Sequence, residues 1–165
     1  MKGRFLILAP LVFVLLALAL PLSANAQAPP PTTTILPIDM TFVDRTCPFQ
    51  LIEHIEGRQI TTDFFDEEGR PERRLRHIIL SATLTNPATG TVVNGVYEAL
   101  TVDRDFTTGT VTRHGLRLIV TVPGMGVVLL DAGTFVTDAG GNVVFEAGPH
   151  QLLHGDVAEF CAAMS

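Results

Sequence analysis

The chain predicts an all-β domain: an antiparallel meander of about seven strands, a small barrel in preference to a β-sandwich, finished by a short C-terminal helix. Three observations carry this. From Thr41 onward apolar and polar residues alternate with period two, the mark of strands with one buried face. The gaps between alternating runs are short and hold the glycine, proline, asparagine or aspartate that tight connections need. Helical spacing is found only in residues 155–165, where Val157, Phe160, Cys161 and Met164 share a face.

The amino terminus reads as an export signal. Lys2 and Arg4 form a basic start, residues 5–20 are apolar with Pro10 as the one break, and Ala24 and Ala26 provide the small residues of a cleavage site. Cleavage is expected after Ala26, with Ala28 as the alternative. The apolar run falls short of the roughly 20 residues a membrane span needs, so no transmembrane segment is expected once the signal is removed. The expected organisation is a signal peptide over 1–26, a mobile Pro/Thr-rich leader over 27–40 and a single β domain over 41–165. The leader assignment rests on "QAPPPTTTILPID", which is rich in proline and threonine and lacks apolar periodicity.

The expected strands follow in order. "FQLIEHIEGR" places Phe49, Leu51 and Ile55 against Gln50, His54 and Glu56, with Ile52 and Glu53 breaking the alternation. "QITTDFF" comes next, and the charged "DEEGRPERR" turns the chain. "LRHIILSATLTN" sets Ile78, Leu80, Ala82 and Leu84 against His77, Ser81, Thr83 and Thr85, and "NPATG" ends it. "TVVNGVYEALTV", "GTVTRHGLRLIVTV", "GVVLLDAGTFVTD" and "NVVFEAGPHQLL" complete the set, separated by "DFTTG", "PGMG" and "DAGGN". In the terminal helix Asp156 stands where a capping residue belongs.

An exported chain meets an oxidising compartment, so the two cysteines, Cys47 and Cys161, are expected to form a disulfide across the ends of the domain. Neither stands in a Cys-x-x-Cys spacing, which argues against a redox thiol.

Charge excludes some functions. The formal charge is −6, and loss of Lys2 and Arg4 with the signal brings it to −8. The mature chain then has no lysine, which removes lysine Schiff-base chemistry. A nucleic-acid partner, which calls for clustered positive charge, is not expected.

The export signal, the strand entry Cys47-Pro48-Phe49, the glycine-punctuated strands and the closing Gly155-Asp156-x(4)-Cys161-Ala162-Ala163 together resemble a group of small secreted bacterial proteins of unassigned function. The resemblance implies an exported, extracytoplasmic protein and carries over no catalytic or ligand-binding residue.

Candidate chemistry therefore comes from single residues. His150 and His154 are four apart in "HQLLH"; on one helical turn they share a face and suit one ion, whereas on a strand they stand about 13 Å apart at roughly 3.3 Å per residue. The segment lacks the glutamate of a zinc-protease motif, and no metal is expected. No Gly-x-Ser-x-Gly elbow is present, and "PGMG" is a hairpin turn rather than a phosphate loop, so no cofactor is expected. A carboxylate pair for acid–base work has Glu53, Glu56, Glu98, Asp103 and Asp131 to draw on. Glu98 and Asp131 lie in otherwise apolar strands and are the two acids a cavity would take in, although outward-facing, solvated carboxylates are the expectation. Arg70, Arg73, Arg74 and Arg76 read as a solvated hairpin neutralised by Asp66, Glu67, Glu68 and Glu72. The favoured function is a secreted barrel binding a small apolar or amphipathic ligand; the alternatives are a filled module with a cell-surface partner and a barrel enzyme working as an isomerase, cyclase or hydrolase.

Overall fold

A computed structural model describes residues 27–165; the expected signal peptide lies outside the described residues. Seven strands form one sheet: β1 (Thr32–Asp44), β2 (Leu51–Phe65), β3 (Pro71–Thr85), β4 (Val92–Asp105), β5 (Val111–Val122), β6 (Gly126–Thr137) and β7 (Val143–Ala147). Their spatial order is their chain order, and each pairs antiparallel with the next. Two short helices follow, α1 (Gln151–His154) and α2 (Ala158–Met164). None of the described helices is long and apolar enough to cross a membrane.

The strands are partitioned differently from the sequence expectation. Residues 32–40 are not part of a mobile leader: they belong to β1, in register with β2 from Thr32↔Asp63 to Asp44↔Leu51. The β-branched threonines and isoleucines suit a strand. Pro37, which signalled a spacer, is tolerated because β1 is an edge strand. The two runs expected on either side of Arg58 are one strand, β2, continuous through Gly57. The last expected strand ends early: after β7, Gly148 adopts a φ of 115° and Pro149 leads into α1. Asp156 does not cap α2, whose N-cap is Val157 without a side-chain bond.

The hydrogen-bonded sheet does not close into a barrel. β1 and β7 are its two edges, and the strand that would have to meet the 13-residue β1 is only 5 residues long. It is nonetheless strongly curled. A flat sheet would hold β1 and β6 about 24 Å apart at ~4.8 Å per strand, yet Phe42 of β1 and Leu129 of β6 line one chamber. Mid-strand glycines permit the bend. Gly115 (φ 114°) and Gly133 (φ 128°) are register partners on β5 and β6, and a Cβ on either would collide with a neighbouring strand's carbonyl oxygen, that of Ala99 or Ala147.

One half of one sheet face holds the core. Leu51, Leu84, Val96, Val120 and Leu129 cluster there, and Phe160 and Met164 of α2 pack onto them. Cys47 in the β1–β2 loop is disulfide-bonded to Cys161 of α2, with Cα atoms 5.5 Å apart. The buried Asn86 side chain donates to the Met164 carbonyl at 2.7 Å and so fixes the end of α2.

Candidate ligand chamber

Between the sheet and the helices lies a chamber of about 290 Å³. Its apolar wall comes from alternate residues that all face the helices, among them Leu80 and Leu84 of β3, Val96 and Leu100 of β4 and Leu118 of β5, with Leu152 and Phe160 above them. Four charged side chains enter it: Asp44, Glu53, Glu98 and Arg117.

The carboxyls feel their surroundings. Burial raises the pKa of Glu53 from 4.5 to about 7, helped by the negative charges of Asp44 and then Glu98. Burial also raises that of Glu98, against the pull of Arg117. At neutral pH the chamber therefore contains a carboxyl poised between acid and base.

Beside it is a second buried group. Asp131 on β6 is fully buried and takes three donors: the Leu152 backbone N–H at 3.1 Å, Arg117 Nη1 at 3.4 Å and His150 Nδ1 at 3.3 Å. An isolated bridge between Asp131 and His150 holds the segment before α1 against β6, and the Ala132 N–H donates to the Pro149 carbonyl at 2.7 Å. The His150 ring stands edge-on to Phe135 at 5.6 Å, and its Nε2 is buried with no hydrogen-bond partner among the described residues. Asp131 thus ties β6, Arg117 and the start of α1 together, a positioning role that needs a buried acceptor with several lone pairs.

The candidates named from sequence are placed as follows. Glu98 lines the chamber, while Asp131 points to the same face but is enclosed by its partners. His150 and His154 flank one helical turn, yet their rings address different carboxylates, His150 that of Asp131 and His154 that of Glu146. No group of three or more metal-ligating side chains occurs among the described residues. Glu56 and Asp103 stand on the opposite face, bonded to His54 and Arg73. The hairpin arginines are not all neutralised by neighbouring acids. Arg70 bonds Asp66 and Glu68, but Arg73 and Arg74 reach across strands to Asp103 and Asp63, and Arg76 has no ion pair among the described residues.

Of the charged chamber residues, Glu53 was named from sequence only among the acids available for a carboxylate pair, and Asp44 and Arg117 were not named. Glu53 breaks the apolar parity of Leu51 and Ile55, and that break was the signal. Arg117 enters the chamber through a register shift between Leu116 and Leu118, which no sequence pattern announces. No protein-family model matches the chain, and no significant similarity to a curated protein or a solved structure is found.

Proposed function

We propose that the protein is an exported, disulfide-stapled β domain that binds a small apolar or amphipathic ligand in the chamber between sheet and helices. The observation that carries this is a largely aliphatic cavity into which a few polar groups converge, the usual make-up of a small-molecule site. The Cys47–Cys161 bond is compatible with an oxidising compartment. Bacterial export rests on the sequence of residues 1–26 and on the resemblance carried by Cys47-Pro48-Phe49 and the Gly155–Ala163 segment.

Native mass spectrometry of the oxidised, exported protein tests the reading. Bound mass that is lost on denaturation is expected, and Leu118→Trp, which fills the chamber, is expected to abolish it with the fold retained. Mass that survives this substitution, or its absence together with no binding of the neutral dye N-phenyl-1-naphthylamine, would overturn the reading.

A second reading, an acid–base enzyme, is favoured by Glu53, whose pKa of about 7 suits proton transfer at neutral pH. It predicts that Glu53→Gln protein from the same host carries a chemically different ligand, substrate in place of product. Identical ligands in both would remove it.

A further inference from the structure

Beyond Gly115 and Gly133 the same sheet face changes character. Arg74 and Arg76 on β3, Arg104 on β4 and Arg113 on β5 all project from it, as their shared register shows. Arg74 is held by Asp63, and Arg104 is exposed with its guanidinium 5.2 Å from the Phe106 ring. Arg76 and Arg113 differ from both. Each is half-buried, each is the register partner of Val102, and neither forms an ion pair among the described residues.

One of the two guanidinium groups is also fixed in place. Arg113 lies over the Phe135 ring at 5.1 Å, and Phe135 is itself buried against His150. Burial, then the charges of Arg76 and Arg117, push the pKa of Arg113 below the usual arginine value. Partly desolvated like charges held together are unfavourable in the free protein, and an anion between them reverses the sign of the interaction.

This pair adjoins the chamber. Leu100 and Arg117 line it, and Leu100 is two residues from Val102 along β4, roughly 7 Å at ~3.3 Å per residue. The charge to be held is small, because Asp63, Asp131 and Glu146 project from the same face and would repel a polyphosphate. We infer that Arg76 and Arg113 form the head-group site of the chamber, and that its ligand is an amphipathic monoanion, an apolar chain ending in a carboxylate. This rests on the chamber being a binding site.

The test is displacement of N-phenyl-1-naphthylamine from the oxidised protein by laurate, with dodecanol and dodecyltrimethylammonium as neutral and cationic probes of the same chain length. Laurate is expected to bind more tightly than either. Arg76→Gln and Arg113→Gln are each expected to weaken laurate by about tenfold or more, the loss of a charge-assisted bond, and to leave dodecanol within about twofold. Arg58→Gln, on the opposite face, serves as the control and changes neither. Thermal melts of all variants check the fold. Laurate affinity indifferent to both substitutions, or a cation bound as tightly as laurate, would overturn the anion site and leave the chamber standing. Failure of the dye and all three amphiphiles to bind folded protein would overturn both.

Discussion

The two halves of the helix-bearing sheet face are built from the same strands and the same alternation, yet they are finished by different physics. One half is covered by α2, stapled by Cys47–Cys161 and packed with Leu51, Leu84, Val96 and Phe160, the last three of which also wall the chamber. On the other stand arginines and phenylalanines, Asp63 pairs with Arg74, and α1 meets it at the β7 edge, where His154 bonds Glu146. Hydrophobic burial is roughly proportional to area, whereas exposed ion pairs contribute little. Stability therefore concentrates in the covered half.

The largest effect that would break this contrast is loss of the staple. The bond spans 114 residues, and a loop of about 100 residues is worth roughly 4.7 kcal/mol in the chain-entropy model. Cys47→Ser and Cys161→Ser are expected to lower stability equally in urea melts, and the double variant no further. Unequal losses would mean that one cysteine contributes mainly by packing. Next is Phe160→Ala, which empties the covered half and is expected to cost about 3–5 kcal/mol. The same measurement on Arg113→Ala is expected to show a far smaller loss.

At the boundary, Asp131→Ala is expected to cost about 3–5 kcal/mol, because it strands the buried His150 ring and the Leu152 N–H. Asp131→Asn, which keeps an acceptor, is expected to cost less. Equal losses would reduce Asp131 to a simple charge.

A pH series sharpens the comparison further. Glu53 holds its proton more tightly in the fold (about 7) than the ordinary value of 4.5 expected when unfolded. Below about 4.5 both states are protonated and the group costs nothing. As pH rises from 4.5 to 7 the unfolded chain releases the proton first, so the fold loses stability. Glu53→Gln is expected to remove that decline from a plot of melting temperature against pH. The turn aspartates act oppositely and at lower pH: Asp66, Asp105 and Asp138 are shifted down by hydrogen bonds within their turns, so their contribution is lost as pH falls through their depressed values. The smallest effect belongs to the exposed Arg73–Asp103 pair on the opposite face, where Arg73→Gln is expected to cost under about 1 kcal/mol.

Much of this architecture is legible locally. Ile78, Leu80, Ala82 and Leu84 share a face as their alternation says, and the hairpin between β3 and β4 falls at Asn86-Pro87-Ala88-Thr89-Gly90. The strand count agrees through two compensating differences: the Thr-rich segment is an added strand, and the two runs around Arg58 are a single one. Proline and glycine mark chain breaks only when the ladder needs the missing N–H or side chain. An edge strand and a bent strand need neither.

Sequence by itself determined the all-β class, the order of the hairpins, the terminal helix and the two cysteines available for a staple, because alternation, turn chemistry and cysteine number act over a few residues or by simple count. Only the tertiary structure decided that the cysteines meet, that the sheet curls without closing, that Glu53 and Glu98 share a chamber, and that Arg76 and Arg113 share Val102 as register partner and form no ion pair among the described residues. Those outcomes depend on register across strands, and a register shift such as that at Leu116/Leu118 moves a side chain to the other face without leaving any mark in the sequence.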